Sequence, residues 1–393
     1  MTSGGRWDLA CSPQTEEERW MRKAIGLARL GLGTTAPNPC VGAILVRDGQ
    51  MVARGWHSVY GGPHAEVVVL EHARSRGINP AGCTLYVTLE PCNHFGKTPP
   101  CTEAILAAGI RQVVVGTLDP NRQAAGGAQR LRAAGVHVVE GVCEAACRDL
   151  VADFRLWQTT DRPYVFLKLA QTLDGKIAPR PGTPGAISGL RAQRLVHRLR
   201  ARVGAILIGG GTLRADNPQL TCRHHTFHGI QPLAAVATRT LPQPPQLPAL
   251  VEKRPEQTIF FTTPTEAQSV RAEALRRRGC HVHGVPEVGS GLNLEAAVTI
   301  LRCTYGCHYV LAEGGGTLAA SLLEAGLADE ILLFIAPKVL AHAAAPASFQ
   351  GRTTQTMADA LTLRPTVLRW MDPDLLLTLH PPLCSPASSN PLA

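Results

Sequence analysis

The sequence predicts an α/β protein built from two successive domains, and three observations predict it. Short β-branched apolar runs alternate with amphipathic stretches, the pattern of strands joined by helices in a largely parallel sheet covered on both faces. The alternation halts at Asp161-Arg162-Pro163 and restarts at Tyr164, which divides the chain into 16–160 and 162–380. With 393 residues, the chain has enough length for two cores.

The elements follow in order. Residues 1 to about 14 read as a loose leader. Thr15-Glu16-Glu17-Glu18 fits a capping box. Trp20, Ala24, Leu27 and Ala28 then recur at helical spacing, and the helix ends near Gly31-Leu32-Gly33. Val41 to Val46 is a strand, Asp48-Gly49 a hairpin turn, and Met51 to Gly55 the return strand. Gly61-Gly62-Pro63 breaks the chain before a helix from Ala65 to about Ala73. Thr84 to Glu90 is a strand, Pro91 can open a helix that continues over Thr102 to Ala108, and Gln112 to Gly116 is a buried strand. On this reading His64 and Cys92 both sit at helix N-termini, where open α/β sheets bind ligands. Residues 128–134 form a helix, Val136 to Val139 a strand, and Cys143 to Thr159 a closing helix.

In the second half, Tyr164 to Ala170 is a strand and Ser188 caps a basic helix through Arg200. Ala205 to Ile208 runs into Gly209-Gly210-Gly211-Thr212. Leu241 to Pro248 is a proline-rich loop, and Ile259 to Thr262, Cys280 to His283, His308 to Ala312 and Ile331 to Ile335 are further strands. The proline- and serine-rich tail 381–393 reads as disordered.

The N-terminus is polar and acidic and no apolar stretch approaches the roughly 18 residues of a spanning helix, so neither a signal peptide nor a membrane is expected. Twelve cysteines in a long, unsecreted chain imply reduced thiols and a metal site, and a cytoplasmic enzyme. A net charge of +9 permits acidic partners without identifying one.

His64-Ala65-Glu66, followed by Pro91-Cys92 and Cys101, carries the strongest chemical signal. One histidine and two cysteines suit zinc and leave a fourth position to water. Glu66, two residues past the histidine, is placed to carry protons. This is the zinc-deaminase pattern H-x-E…P-C, here with eight residues between the cysteines instead of two. Bound zinc lowers the pKa of water to about 7, and the hydroxide would attack an amino-bearing carbon of a heterocycle. The competing reading is a structural zinc closed by His94. Asn38 and His57 flank the first two strands and are also explained as plain turn chemistry, and Lys97 as a solvated loop charge. In the second half, Gly209–Thr212 and Glu313-Gly314-Gly315-Gly316-Thr317 each follow a β-like run, where glycines admit a phosphate to a helix N-terminus. Arg200 and Arg223 are candidates for a ribose phosphate, and Lys168 and Asp216 for a polar pair at the reacting ring, against the bland reading of surface charge.

Thr35 to Ala43, Pro63-His64-Ala65-Glu66, and Tyr86 through Cys92 and Gly96 to Cys101 resemble the RibD family of bifunctional deaminase–reductases of riboflavin biosynthesis. Asp119-Pro120-Asn121 fits as well, as do Lys168, Thr172 to Gly175, Val196 to Ala201, and Ile208 through Asp216 to Arg223. The resemblance covers roughly residues 16–380, and the long inter-cysteine loop is normal in that family. It implies a three-layer α/β/α cytidine-deaminase-like domain followed by a dihydrofolate-reductase-like α/β domain, with zinc and NADPH as cofactors and a phosphoribosylated pyrimidine as substrate. It implies that Asn38, His57, His94 and Lys97 contact the pyrimidine. In the second domain Ala170, Thr212, Asp216, Gly315, Gly316 and Thr317 would touch cofactor. Arg200, Leu220, Arg223, Glu313 and Lys168 would lie at the substrate, whose opened ribose receives a hydride at C1.

The chain also departs from the family. Where the family often has Ser-x-Trp-Ile-Thr, this chain has Pro184-Gly185-Ala186-Ile187-Ser188, so the cofactor-contacting Trp is Ala186. Cutting a buried Trp to Ala costs about 3–5 kcal/mol. Ala237-Thr238 stands where an Asp is usual. A deaminase with a weakened reductase half is therefore one alternative. Another is a nucleic-acid base deaminase with a basic binding module, against which aromatics are sparse and not interleaved with basic residues, so no nucleic acid is expected. The sequence leaves a homo-oligomer open.

Overall fold

A computed structural model of the chain describes residues 6–8, 15–95, 99–121, 123–183, 185–224 and 226–382. The chain divides into two compact units between Asp161 and Arg162. Strand β1 (Arg6–Asp8) falls inside the expected leader, yet pairs into the sheet of the second unit.

In the first unit, α1 (Glu16–Ala28) is capped by Thr15, whose hydroxyl accepts from the Glu18 N–H. Strands β2 (Gly42–Arg47) and β3 (Gln50–Trp56) are joined by Asp48 and Gly49, both with left-handed φ (48° and 67°), as a two-residue hairpin turn requires. Next come α2 (Ala65–Ser75), β4 (Thr84–Leu89), α3 (Cys101–Ala107), β5 (Gln112–Thr117), α4 (Gly127–Ala133) and β6 (His137–Val139). The sheet order is β3-β2-β4-β5-β6, with β2 antiparallel to both neighbours and β4, β5 and β6 parallel. The expected largely parallel sheet is thus mixed, because the β2–β3 hairpin supplies two of its five strands.

Alternation along the strands builds three layers. Leu85, Val87, Val113 and Val115 pack toward α2, α3 and α4 through Val69, Leu70, Ile105 and Leu131. Tyr86 and Val114 face the other way, onto Trp20, Met21, Ala24 and Ile25 of α1. The single closing helix expected over 143–159 is two, α5 (Glu144–Leu150) and α6 (Ala152–Thr159), because Val151 leaves helical geometry at φ −111°.

The second unit runs β7 (Tyr164–Thr172), α7 (Leu190–Arg200), β8 (Ala205–Gly209), α8 (Gly210–Asp216), β9 (Leu233–Ala237), α9 (Ala249–Lys253), β10 (Thr258–Thr262), α10 (Val270–Arg277) and β11 (His281–Gly284). It continues through the small β12 (Glu287–Val288) and β13 (Gly291–Leu292), then α11 (Leu294–Cys303), β14 (Tyr309–Glu313), α12 (Gly316–Glu324) and β15 (Glu330–Ala336). It closes with a hairpin of β16 (Arg364–Trp370) and β17 (Leu375–His380) that sequence periodicity did not reveal. The sheet order is β1-β16-β17-β15-β7-β14-β8-β9-β10-β11, parallel from β15 to β11. Its core joins Val165, Leu167 and Leu169 of β7 and Leu207 of β8 to Val298 and Leu301 of α11 and Leu322 of α12.

Ser188 does not cap α7. Gly189 occupies the N-cap position, and its N–H donates to Asp374 Oδ2 at 2.7 Å. A carboxylate from the β16–β17 hairpin thus meets the positive end of the helix. The tail beyond residue 382 lies outside the described residues.

Candidate active sites

The first site lies at one edge of the first sheet. Because β4 and β5 are parallel and β2 is antiparallel to β4, the segments following β4, β5 and β3 and the segment preceding β2 come to the same edge. They line a cavity of about 360 Å³ together with Glu66, Phe154 and Gln158. His64 is the N-cap residue of α2, and Glu66 lies in that helix's first turn.

The donor atoms of His64, Cys92 and Cys101 all lie within 4.8 Å of one another. His64 Nδ1 stands 3.3 Å from Cys101 Sγ and 3.5 Å from Cys92 Sγ. Tetrahedral zinc with Zn–N near 2.0 Å and Zn–S near 2.3 Å places such donors about 3.6 Å apart, so the donor set fits the ion. His94 lines the cavity but is not part of this gathered set. The Cys101 and His64 contacts hold the Cys92 thiol down to about 4, whereas the Cys101 thiol moves up. Glu66 is buried, and burial, followed by the Cys92 charge, pushes its carboxyl up to about 7.

One local expectation fails. Cys92 does not open a helix; Cys101 does, as the first residue of α3. Pro99 and Pro100 have no N–H to donate, so a helix begins after them rather than across them. The Cys101 N–H points at Cys92 Sγ from 3.4 Å. Residues 92–95 instead run as irregular chain, with the Asn93 N–H on the Ala124 carbonyl.

His57 is buried, with Nδ1 3.0 Å from the Pro63 carbonyl and Nε2 3.4 Å from Asn38 Nδ2. A carbonyl only accepts, so Nδ1 carries the proton and Nε2 accepts from Asn38. Burial, and then the charge of His64, lower the His57 pKa. Lys97 lies outside the described residues.

Sequence reasoning passed over Glu90, which is buried and lines the cavity. Its Oε1 accepts from the Gly126 and Ala128 N–H groups and its Oε2 from Asp119 N–H, so it ties the loop after β5 to the metal-binding segment. Only its place next to Pro91-Cys92 hinted at this. Asp119 Oδ1 accepts from Asn121 N–H, and burial pushes the Asp119 carboxyl up to about 6.

The second site lies at the carboxyl ends of β7, β14 and β8, which are adjacent strands. Both glycine turns meet there: the Gly315 N–H donates to Thr212 Oγ1 at 3.1 Å, joining the N-terminal ends of α8 and α12. Gly316 and Thr317 open α12, and Ala170 lies on β7. Arg200 and Glu313 form a bidentate, mostly buried pair, Nε–Oε1 and Nη2–Oε2 both at 2.7 Å. Arg200 Nη1 donates to the Thr221 carbonyl. The guanidinium expected on a phosphate is therefore committed to a carboxylate. Burial would raise the Glu313 carboxyl, but the Arg200 hydrogen bond and charge outweigh it and hold it low.

Lys168, opposite Glu313 in the β7–β14 register, faces the charges of Glu313 and Arg200, and burial lowers its pKa. Asp216 ends α8, and burial pushes its carboxyl up. Leu220 is buried, Arg223 is exposed, and Ala186 is exposed with its carbonyl accepting from Lys338 Nζ at 3.3 Å. Pro184 lies outside the described residues. Where the family has its Asp, the buried Thr238 hydroxyl donates to the Thr240 carbonyl.

Fold and donor set together define a zinc-dependent deaminase unit followed by an α/β unit with paired glycine turns for a nucleotide cofactor. Residues 14–117 match the profile of the cytidine and deoxycytidylate deaminase zinc-binding region, and residues 163–377 that of the RibD C-terminal domain. The riboflavin biosynthesis protein RibD of Aquifex aeolicus is 40% identical over 326 residues, 82% of this chain and 88% of that one. Its Escherichia coli counterpart is 36% identical over 379 residues, covering 93% and 99%. The solved structure of Acinetobacter baumannii RibD is similar with a TM-score of 0.70 at 35% identity, covering 94% of this chain and 99% of that one. That of the Thermotoga maritima diaminohydroxyphosphoribosylaminopyrimidine deaminase/5-amino-6-(5-phosphoribosylamino)uracil reductase gives 0.72 at 34%, covering 93% and 99%. The chain belongs to the RibD family. It is a bifunctional enzyme of riboflavin biosynthesis, hydrolase and oxidoreductase in one polypeptide, with zinc and NADPH as cofactors. Among the described residues no helix is long and apolar enough to cross a membrane.

Proposed function

We propose that residues 16–160 deaminate 2,5-diamino-6-(5-phosphoribosylamino)pyrimidin-4(3H)-one and that residues 162–380 then reduce the ribosyl chain of 5-amino-6-(5-phosphoribosylamino)uracil to ribityl. One observation carries the first step: His64, Cys92 and Cys101 gather on the wall of a small-molecule-sized cavity with the buried Glu66. When bound, zinc supplies the Lewis acidity that makes water nucleophilic at neutral pH. Glu66 takes a proton from that water and delivers it to the ring nitrogen beside the amino-bearing carbon. The second water proton leaves with the amino group as ammonia, again through Glu66, and a ring carbonyl remains. His57 stays neutral, held by Pro63 and Asn38, which leaves Asn38 Oδ1 to accept from the pyrimidine. His94 reads the ring from the cavity wall, and the role of contacting the substrate anion is assigned to Lys97 by the family resemblance alone.

In the second unit Ala170, Ala186, Thr212, Asp216, Gly315, Gly316 and Thr317 line the cofactor. Arg223 holds the ribose phosphate, with Leu220 shaping the loop beneath it, while Lys168, Arg200 and Glu313 orient the reacting end. When bound, NADPH supplies the hydride, so the protein's work there is positioning, with a proton held on Lys168 Nζ. Cysteines gathered as metal ligands, Cys92 and Cys101, fit a reducing cytoplasm.

The test measures ammonia release and NADPH oxidation by the zinc-loaded enzyme on these two pyrimidines. Glu66→Gln should cut ammonia release by roughly 10²–10⁴-fold with unchanged zinc content and unchanged NADPH oxidation on the deaminated substrate. Silence of the unaltered enzyme in both assays would reject the proposal, and full activity of the variant would leave only a structural zinc.

A further inference from the structure

The loop from Asn217 to Arg223 belongs to no strand or helix, yet its backbone is heavily constrained. Asn217 (φ 41°) and Leu220 (φ 48°) take left-handed conformations. Asn tolerates that region; a leucine there sets its Cβ against the following carbonyl. Such residues persist where the surroundings over-determine them, and they concentrate at ligand clamps. Leu220 is also buried.

Hydrogen bonds to groups outside the loop hold it at almost every residue. Asn217 Oδ1 accepts from the Ala249 N–H at 2.8 Å. The Thr221 carbonyl accepts from Arg200. Gln231 grips Cys222 twice, accepting its N–H at 2.7 Å and donating to its carbonyl at 3.0 Å. The Arg223 N–H donates to His197 Nδ1 at 3.2 Å. Arg254, just past the end of α9, makes the central contact: Nη1 donates to the Leu220 carbonyl at 3.0 Å and the Gln219 carbonyl at 3.3 Å, and Nη2 to the Pro232 carbonyl. One guanidinium thus ties the left-handed turn to the chain leading into β9. The planar fork of arginine fixes several acceptors in set directions, which a lysine ammonium does not.

We propose that Arg254 is a positioning residue of the reductase, fixing the left-handed turn at the buried Leu220 so that the loop presents Arg223 to the ribose-phosphate end of the substrate. The proposal rests on the reading of Arg223 as a substrate contact. Arg254 itself touches three carbonyls and no substrate. Without it the loop relaxes, and substrate binding must supply the ordering that Arg254 had already supplied. The loss therefore falls on KM for the ribosyl substrate rather than on kcat.

The experiment uses the full-length, zinc-loaded chain and follows NADPH oxidation against concentration of 5-amino-6-(5-phosphoribosylamino)uracil. Arg254→Gln and Arg254→Lys should each raise KM about tenfold, with kcat within about twofold. Millimolar guanidinium should lower the KM of Arg254→Ala and leave that of the unaltered enzyme alone. Arg223→Gln, run alongside, separates the two layers of the argument. If it leaves KM unchanged, the loop does not hold substrate and both readings fall. If it raises KM while Arg254→Gln does not, the Arg254 proposal alone falls. It also falls if Arg254→Gln lowers kcat at constant KM, or if guanidinium fails to restore Arg254→Ala.

Discussion

Glu313 shows how one mostly buried residue can stabilise the fold beside a candidate site. Its carboxylate is fully engaged by the Arg200 fork, and the pair is only 12–13% exposed. Removing one partner of a buried pair strands the other, typically at about 3–5 kcal/mol. Glu313→Gln should therefore lower the stability of the second unit by that order at pH 7, measured by urea denaturation. The pH dependence has a definite sign. The folded-state pKa lies below the ordinary glutamate value of 4.5, so the ionised form favours the fold. The stabilisation is present above 4.5 and disappears as pH falls through the lower folded-state value. The gap between variant and unaltered enzyme should shrink below that pH; a gap that stays constant into acid would mean that the carboxylate charge is not what stabilises.

At the scale of elements, the metal-binding segment depends on its neighbours. Gly127, in the first turn of α4, lies so close to Pro91 that an added Cβ would collide with the Pro91 carbonyl. Gly127→Ala should push the Pro91-Cys92 segment outward and weaken zinc binding roughly 10–100-fold, the range for groups that support metal ligands. Chelator competition would measure it, and unchanged affinity would show that the segment can yield without moving Cys92. In the second unit, Asp374→Ala removes the carboxylate at the start of α7 and should cost about 0.5–2 kcal/mol, as for loss of a helix cap. Thermal melting of Asp374→Ala beside Asp374→Asn separates the hydrogen bond from the charge.

Considered as a whole molecule, the chain keeps its two chemistries in separate units. Every zinc donor lies before Asp161, while the paired glycine turns lie after Arg162. Stripping the metal with a chelator should abolish ammonia release and leave NADPH oxidation on the deaminated substrate within about twofold, because NADPH chemistry needs no metal from the first unit. Parallel loss of both activities would show that zinc also supports the second unit. The loop at 185–188 is held through its backbone, with Lys338 Nζ on the Ala186 and Ile187 carbonyls.

Local signals made much of this legible. The capping residue Thr15, the Asp48-Gly49 turn and the placing of Glu66 two residues past His64 each depend on residues a few positions apart, so composition and spacing alone specify them. The two-domain α/β class followed from strand–helix alternation for the same reason. Tertiary structure decided what spacing cannot encode. Arg200 meets Glu313 across 113 residues, Arg254 reaches Leu220 across 34, and Glu90 gathers N–H groups 29 to 38 positions away. Cys101 rather than Cys92 heads a helix because two prolines precede it and Asn93, next to Cys92, is anchored to the Ala124 carbonyl. Periodicity reports which face of an element is apolar; which charge finds which partner depends on where the sheet brings its strand ends together.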